Sequence, residues 1–353
     1  MSQGDRIAVL AAGAIGGSIA ADLTAAGLDV TVIDAWPDHV EAMKHRGLQV
    51  TMPDQELCVP VSAHHIYELS FLKPTFDIVL LCAKSQDTKW MAQLIEPFLA
   101  HDGVLVGVQN SMNDEAHAAI VGRSRTMGCA IELSADLFTP GVIERNTTRA
   151  RTWVAVGELD GTMTPRAESI AGILRNVAVA EVADDISARK WTKLVANSMT
   201  MGPFGLFGIL NWDAMRLPGM KAISVALGRE TAAVGAALGY ELRPIFGLSA
   251  EEMSGPTDDV LVKAMETLMD HVGRESQTAV VVDHKKGRRS EFDFISGLVV
   301  RLGQQTGIPT PYNAAVTDLA RQIDRGEIAM DVTNLERLVS LVSPSSTPIA
   351  SAS

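Results

Sequence analysis

The sequence predicts the α/β fold class, with a parallel sheet and crossover helices first and an all-helical part after it. Short apolar runs alternate with helical patterns from Ile7 to about Asp184, which is typical of βαβ units. Beyond Asp184 the apolar spacing is that of long helices. A chain of 353 residues is also too long for one ordinary core. We therefore predict an α/β domain over residues 1–183, a helical domain over 184–340 and a disordered tail over 341–353, where bulky side chains are few.

The stretch Ile7–Asp34 reads as one βαβ unit with a glycine turn between its first strand and its helix. Gly13 has no Cβ, so its backbone can approach a pyrophosphate, which the N–H groups of the helix stabilise. Gly16 lets the helix pack closely on the strand. Ala11 stands where G-x-G-x-x-G has its first glycine, so this turn carries a Cβ. The predicted elements are a strand at Ile7–Leu10, a helix at Gly17–Ala26 and a strand at Val30–Ile33.

Asp34 ends the second strand, at the distance from the turn where a ribose-binding acid is expected. Its carboxylate would accept hydrogen bonds from the adenosine 2′-hydroxyl, whereas a 2′-phosphate would meet like charge. The pattern therefore predicts NAD as the cofactor. The alternative is a glycine turn of another α/β protein, with Asp34 as a strand-end cap. The residues of this unit predicted to bind the cofactor are Ala11, Gly13, Ala14, Ile15, Gly16 and Asp34.

Composition and charge point to a small molecule as the ligand. The net charge of -12 argues against a nucleic acid or an anionic membrane as the main partner, because both would repel the chain. The 3 cysteines are widely spaced and form no C-x-x-C, which indicates neither a disulfide framework nor a zinc cluster. The short polar segment before the first strand leaves no room for a secretory signal, and the longest uncharged run, Leu194–Leu210, is too short to span a bilayer. We expect a cytoplasmic protein.

Two polar residues end buried strands of the predicted parallel sheet. Phe76–Lys84 is a continuous apolar run that ends in a cation, and Gly103–Asn110 is the next strand. Ligands of such sheets bind at the carboxyl ends of the strands. Lys84 could therefore touch cofactor or substrate, and Asn110 could orient a substrate oxygen or the nicotinamide carboxamide. The alternatives are a solvated lysine and a turn-forming asparagine.

The remaining pattern fills in both predicted domains. His64 and His65 are neighbours in a predicted strand and so point to opposite faces, which favours structural roles over a metal site. Further strands at Thr126–Glu132, Gly141–Glu144 and Thr152–Val156 are expected to complete the sheet. The predicted helices are Asp38–Arg46, Thr88–Leu99, Pro165–Leu174, Ile186–Leu210, Leu217–Leu238, Asp258–Gly273, Phe292–Thr306 and Tyr312–Gln322.

Lys193 and Asn197 lie four apart at the start of an apolar helix, so they share one face. Burial at the edge of such a helix favours an uncharged lysine, which suits general acid/base chemistry. Lys193 could protonate a carbonyl oxygen as hydride arrives, or take the alcohol proton in the reverse direction. The alternative is a surface lysine whose stem lies along the helix.

Ser290 with Asp293 three residues later predicts a helix cap that places Glu291 in the first turn. The helix dipole would stabilise a carboxylate there for structural reasons alone. The functional alternative is that Glu291 holds a substrate hydroxyl or pairs with Lys193. The basic residues just before it are either an anion site or a solvated loop.

Several short segments occur in order along the chain: Gly13-x-x-Gly16, Ala83-Lys84, Val108-Gln109-Asn110, Lys190-Trp191-Thr192-Lys193-Leu194-x-x-Asn197, Ser290-Glu291-Phe292-Asp293 and Gly307-Ile308-Pro309-Thr310-Pro311. This combination resembles the ketopantoate reductase family and covers the chain from Ile7 to about Ile323. The resemblance implies an N-terminal Rossmann domain, a C-terminal all-helical domain, an active site in the cleft between them and a homodimer. It further implies a general acid at Lys193, a hydroxyl-binding Glu291, orienting amides at Asn110 and Asn197, and Lys84 beside the cofactor.

The chain also departs from the family pattern. Met201 stands where the family has a second asparagine, and Ala279 where it has a serine that holds the substrate's carboxylate. Both changes remove hydrogen-bonding groups, so the expected substrate is larger or more apolar than pantoate. The predicted substrate pocket comprises Met112, Met201, Asn211 and Ala279, with no metal.

The leading hypothesis is an NAD-dependent oxidoreductase that interconverts a secondary alcohol, or a 2-hydroxy acid, and its ketone. Asp34 supports NAD, because the biosynthetic members of the family usually prefer NADPH and carry a basic residue near that position. One alternative is a true 2-dehydropantoate 2-reductase. Another is a non-catalytic NAD(H)-binding sensor.

Overall fold

The computed structural model describes residues 4–343, which form two β-sheets and a set of helices. The strands are β1 (Ile7–Leu10), β2 (Val30–Asp34), β3 (Leu48–Thr51), β4 (Glu56–Val59), β5 (Ser62–His65), β6 (Phe76–Leu81), β7 (Leu99–Val108), β8 (Thr126–Glu132), β9 (Ala135–Thr139), β10 (Val142–Arg145), β11 (Trp153–Glu158) and β12 (Val179–Val182).

The first six helices alternate with strands, and the other eight follow the last strand. They are α1 (Ala14–Ala25), α2 (Pro37–Arg46), α3 (Leu69–Leu72), α4 (Thr88–Ile95), α5 (Asp114–Val121), α6 (Pro165–Leu174), α7 (Ile186–Phe204), α8 (Asn211–Met215), α9 (Met220–Ala237), α10 (Thr257–Val272), α11 (Ala279–Lys285), α12 (Ser296–Thr306), α13 (Pro311–Asp324) and α14 (Asn334–Val342). The predicted α/β fold class with a helical C-terminal part is confirmed.

The larger sheet has eight strands in the order β12-β11-β8-β7-β6-β1-β2-β5. Neighbouring strands run parallel except β8 and β11, which pair antiparallel with Glu132 opposite Trp153. The larger sheet is therefore mixed, with one antiparallel pair. The carboxyl ends of β1, β2, β6, β7 and β8 meet at one edge, which brings their strand-end residues together.

A second sheet of four strands, in the order β4-β3-β10-β9, covers α1. The prediction that Gly141–Glu144 completes the larger sheet was wrong, because β10 pairs parallel with β3 instead, with Ile143 opposite Val50. Gly17 allows this packing: a Cβ there would lie 2.4 Å from the Cδ1 of Ile143. The second sheet thereby holds the helix that follows the glycine turn.

Two helix starts differ from the predicted ones. Helix α1 begins at Ala14, earlier than the expected Gly17. The cap expected at Ser290 is wrong, because the Ser290 hydroxyl donates to Asp324 at 3.2 Å and α12 begins only at Ser296. Glu291 therefore precedes a short 3-10 turn and is not in the first turn of an α-helix.

The predicted tail over residues 341–353 overlaps the last two residues of a helix. Leu341 and Val342 still belong to α14. Residues 344–353 lie outside the described residues. Within 4–343, no helix combines the length and apolarity that crossing a membrane requires. The same residues hold no group of three histidine, cysteine or acidic side chains arranged to bind a metal ion.

Helix α7 is the buried centre of the helical part and packs against α8, α9, α10, α11 and α13. It also contacts β8 and β11 of the larger sheet. The Lys190 ammonium of α7 lies 2.7 Å from the carboxylate of Asp114, the first residue of α5, with side chains only 2% and 7% exposed. Burial raises the pKa of Asp114 more than the Lys190 charge lowers it. A buried ion pair thus joins the helical part to the α/β part.

Ala11 adopts a left-handed backbone, with φ at 69°, in the turn between β1 and α1. A residue with a Cβ is strained by about 1–2 kcal/mol in that region. A glycine would remove this strain, but part of the gain in stability would be lost because glycine makes the unfolded chain more flexible. We expect Ala11→Gly to raise the free energy of unfolding by about 0.5–1 kcal/mol. Urea denaturation followed by circular dichroism measures it. Ala25→Gly, in the last turn of α1, should instead destabilise the protein. A loss of stability in Ala11→Gly would contradict a strained turn.

Candidate active site

A cavity of about 810 Å³ lies between the carboxyl edge of the larger sheet and the helical part, and we call it the cleft. Its walls come from both parts of the chain. The α/β part contributes the glycine turn and the residues that follow β2, β6, β7 and β8. The helical part contributes α7, the end of α10, and α11 with the loop after it. Strand-end residues therefore face helical side chains across the cleft.

The glycine turn opens into the cleft as the sequence predicts. A Cβ on Gly13 would have no heavy atom within 4 Å, so the backbone there is accessible. No side chain caps the start of α1, which leaves N–H groups of the first turn free for an anion. Ala11, Ala14 and Ile15 line the same wall. Gly16 serves the packing of α1 and does not line the cleft. A Cβ at Gly16 would lie 2.3 Å from the Ala11 oxygen. The donor set fits a pyrophosphate.

His39, on α2, fixes the turn and was missed by sequence reasoning. Its Nε2 bonds to the Ala12 oxygen at 2.9 Å, and its Nδ1 accepts the Gly141 N–H at 2.8 Å. Burial lowers the pKa of His39, and the Lys286 ammonium acts in the same direction. A neutral ring with hydrogen on Nε2 satisfies both bonds. The histidine thereby ties the glycine turn to the second sheet.

Asp34 lines the cleft at the end of β2, where a ribose is expected. Its Oδ1 accepts the Trp36 N–H at 2.8 Å, which fixes the carboxylate. Across the cleft, the Arg288 guanidinium lies 5.8 Å from the centroid of the Trp36 ring. This end of the cleft therefore combines an acid, an aromatic ring and a guanidinium from the opposite part of the chain.

Lys84 forms an ion-pair cluster across the cleft. Its Nζ lies 2.7 Å from Asp283 and 3.3 Å from Glu291, both in the helical part. Burial alone would lower the pKa of Lys84, but the two carboxylates outweigh it and the pKa is raised. Glu291 also accepts the N–H and hydroxyl of Ser85, at 2.9 and 2.8 Å. Burial alone would raise the pKa of Glu291, but Lys84 and these donors lower it.

Lys193 lies at the centre of a second cluster. Its Nζ donates to the Asn110 Oδ1 at 3.0 Å and lies 3.3 Å from the Glu132 carboxylate. Asn197 donates to the same Asn110 oxygen at 3.2 Å. Sequence reasoning missed Glu132. This residue lies at the carboxyl end of β8, just as Lys84 and Asn110 lie at the carboxyl ends of β6 and β7. The rule that selected those two residues would have found it.

The structure brings most of the predicted site residues to the cleft. Glu291 does not pair with Lys193, because each has its own partner. Met112 does not line the cleft: Ser111 has φ at 71°, and Met112 packs against the helical core around Trp191. The predicted pocket residues that do line the cleft are Met201, Asn211 and Ala279.

Apolar side chains form part of the cleft wall: Leu268, Met269 and Val272 of α10, Val282 of α11 and Met201 of α7. Thr200, Gln277, Thr278 and Asn211 line the cleft as polar residues of the helical part. The Asn211 Nδ2 donates to the Ser276 hydroxyl at 3.0 Å, whereas the buried Asn211 Oδ1 has no hydrogen-bond partner among residues 4–343.

His64, His65 and the basic residues after α11 make contacts within the protein. His65 Nε2 bonds to the Ala35 oxygen and His64 Nε2 to the Ser62 hydroxyl. In the loop after α11, Arg289 pairs with Asp293 at 2.7 Å, and the Lys286 ammonium lies 4.8 Å from the centroid of the Phe138 ring. Lys286, Arg288 and Arg289 all line the cleft.

An α/β part with a glycine turn, a helical part and a cleft between them are typical of a class of dinucleotide-binding oxidoreductases. The family described as "Ketopantoate reductase PanE/ApbA" matches residues 7–160, and its C-terminal counterpart matches residues 185–324. The chain therefore belongs to the ketopantoate reductase family, as its motifs predict. Members of this family are oxidoreductases that act on CH–OH groups.

Individual relatives cover nearly the whole chain. A 2-dehydropantoate 2-reductase of Archaeoglobus fulgidus is 27% identical over 323 residues, which is 91% of this chain and 98% of the relative. A crystal structure of a PanE/ApbA family ketopantoate reductase from Ralstonia eutropha JMP134 has a TM-score of 0.75 at 25% identity, covering 91% and 99% of the two chains. A D-mandelate dehydrogenase solved with NADH and anilino(oxo)acetate has a TM-score of 0.81 at 20% identity, covering 91% and 98%. The last similarity concerns the fold alone.

Proposed function

We propose that this chain is an NAD-dependent oxidoreductase that interconverts a secondary alcohol and its ketone in a pocket more apolar than one for ketopantoate. The observation that carries the proposal is the position of Lys193, which lies in the same cleft as the open glycine turn and beside two amides. By family resemblance we also propose that the chain forms a homodimer and acts in the cytoplasm.

The cofactor end supports a dinucleotide with a free 2′-hydroxyl. Asp34 would accept that hydroxyl, because only one of its oxygens is held by Trp36. The free N–H groups of α1 would hold the pyrophosphate, and Lys286 and Arg288 would face it with positive charge. When bound, the nicotinamide would supply or accept the hydride.

The reaction end supports proton transfer at Lys193. In reduction its Nζ would give a proton to the carbonyl oxygen, and in oxidation it would take the alcohol proton. The Asn110 oxygen accepts a hydrogen bond from the ammonium and the Glu132 carboxylate forms an ion pair with it, so both orient it. The Asn110 oxygen accepts from both Lys193 and Asn197, which fixes the amide. The Asn110 Nδ2 makes no hydrogen bond within residues 4–343 and could donate to the substrate oxygen.

Glu291 would bind a second substrate hydroxyl. Its Oε1 accepts two hydrogen bonds from Ser85, and its Oε2 accepts one from Lys84. An ionised carboxylate has about four acceptor positions, so one remains on Oε2. Lys84 would act by holding this carboxylate beside the cofactor.

A second candidate, a true 2-dehydropantoate 2-reductase, is favoured by the names of the curated relatives.

Two measurements distinguish the two candidates. We expect protein fluorescence titrations to give NADH a dissociation constant at least about tenfold below that of NADPH, a difference of ~1.4 kcal/mol. We also expect absorbance at 340 nm to show secondary alcohols reducing NAD. Tighter NADPH binding with turnover of ketopantoate would support the second candidate. Binding of NADH without turnover of any alcohol or ketone would indicate a non-catalytic sensor.

A further inference from the structure

We propose that Asp324, which lies outside the cleft, is a positioning residue for the reaction. Asp324 is the last residue of α13 and does not line the cleft. Its carboxylate holds the side chains that neighbour Asp283 and Glu291 in the chain, and so fixes where Glu291 meets the substrate. The inference rests on the proposed function, because it adds a residue that acts through Glu291.

The Asp324 carboxylate connects two points of the chain. The His284 Nε2–H donates to the Asp324 Oδ1 at 2.7 Å, and the Ser290 hydroxyl donates to the same oxygen at 3.2 Å. The side chains of His284 and Asp324 are only 7% and 20% exposed, and Ser290 is buried. Hydrogen bonds to an ionised acceptor are the stronger kind. The loop that follows α11 is therefore held at both of its ends by one residue of α13.

The neighbours of these two residues are the buried carboxylates of the cleft. Asp283 directly precedes His284, and Glu291 directly follows Ser290. Both carboxylates face the single Lys84 ammonium, at 2.7 and 3.3 Å. Burial raises the pKa of Asp283 and the Glu291 charge acts in the same direction, so the two carboxylates repel each other. An attachment outside the cleft opposes this repulsion and keeps both groups at one cation.

The two halves of the loop are held differently. Just after α11, the N–H groups of Gly287 and Arg288 donate to the oxygens of His284 and Asp283, each at 2.9 Å. This half keeps its shape through backbone bonds to the helix. Within residues 4–343, the N–H groups of residues 289–291 donate to no backbone oxygen. The second half, which leads into Glu291, therefore depends on side chains for its position.

A second contact with α13 lies just beyond Glu291. Asp293 pairs with Arg321 of α13 at 2.8 Å and with Arg289 at 2.7 Å. Both arginines are exposed, so water weakens these pairs relative to the more shielded bonds of Asp324. The pairs of Asp293 would keep the segment folded when Asp324 is removed. The loss of Asp324 should then displace Glu291 locally.

The test is a double-mutant cycle with Glu291. Asp324→Ala should lower kcat/KM about tenfold, while the dissociation constant of NADH changes less than about 2-fold. In the Glu291→Gln background the same change should lower kcat/KM less than about 2-fold, because the carboxylate that Asp324 positions is already gone. A purely structural role would instead lower activity by the same factor in both backgrounds.

Two matched pairs of ketones serve as substrates, each assayed with NADH at 340 nm. One pair is ketopantoate and its analogue with methyl in place of the hydroxymethyl group. The other is 2-hydroxyacetophenone and acetophenone, and the pair that is reduced faster is used for the cycle. Because Glu291 would bind the second hydroxyl, Asp324→Ala should cost about tenfold with the hydroxylated member and less than about 3-fold with the other.

Two further variants complete the experiment. Asp324→Asn keeps the size and one acceptor oxygen, so we expect a loss of about 3-fold, and it replaces Asp324→Ala in the cycle if the alanine variant does not fold. Asp318→Asn removes a charge from an exposed position of the same helix and should change neither quantity.

Two results would overturn the inference and leave the proposed function standing. One is an unchanged kcat/KM in Asp324→Ala, and the other is an equal loss in the wild-type and Glu291→Gln backgrounds. If the wild-type protein binds NADH but reduces none of the four ketones, the proposed function fails and the inference fails with it.

Discussion

Replacing Lys193 by methionine should lower kcat/KM about 1000-fold while changing the dissociation constant of NADH less than about 2-fold. Methionine keeps the length of the side chain but cannot transfer a proton, and general acid/base groups typically contribute 10²- to 10⁴-fold. A loss of about 1000-fold corresponds to about 4 kcal/mol of transition-state stabilisation. Steady-state rates at 340 nm and a fluorescence titration of NADH measure the two quantities.

Two further variants distinguish proton transfer from simple positioning. Lys193→Arg retains a cation that can still face Glu132, but a guanidinium holds its proton, so turnover should stay at least about 100-fold below wild type. Lys221→Met removes an exposed lysine paired with Glu266 and should leave turnover unchanged. If Lys193→Met kept activity within about 3-fold of wild type, another group would have to move the proton.

Replacing Asp34 by asparagine should shift the preference from NADH toward NADPH by about 100-fold. The amide oxygen can still accept the Trp36 N–H, so the turn is retained while the negative charge is lost. NADH loses a charged hydrogen bond to its ribose, worth about 1.5–3 kcal/mol. NADPH gains as well, because its 2′-phosphate then meets the Arg288 guanidinium over Trp36 without an opposing carboxylate.

Asp38→Asn is the matched control for this change. It removes the same charge from an exposed position in the first turn of α2, outside the residues that line the cleft. Its ratio of dissociation constants for the two cofactors should match that of the wild type. Equal preference in Asp34→Asn and wild type would show that Asp34 does not contact the ribose.

Features that depend on neighbouring residues could be predicted from the sequence. The βαβ unit ending at Asp34 follows from a strand, a glycine turn and a helix within one short stretch. The strand ends at Lys84 and Asn110 follow from apolar runs and from the rule that ligands bind at carboxyl ends. Glu132 satisfies the same rule and was passed over because its strand was considered only as part of the sheet.

Features that depend on distant pairing could not be predicted in this way. Strand β10 pairs with β3, far back in the chain, and no local pattern encodes that register. Ser290 resembles a helix cap, but its hydroxyl bonds to Asp324 across the fold. Met112 follows Asn110 closely in sequence, but the left-handed Ser111 turns the chain away from the cleft. In the first two cases a long-range contact outweighs the local signal, and in the third an unusual backbone conformation does.

The buried pair of Lys190 and Asp114 makes the two parts of the chain depend on each other for folding. Separation of the α/β part from the helical part would take Lys190 and Asp114 out of their buried contact and leave each without its partner. Lys84 would at the same time lose both of its carboxylates. We therefore expect unfolding of the helical part to destabilise the α/β part as well, because Asp114 and Lys84 would both lose their partners.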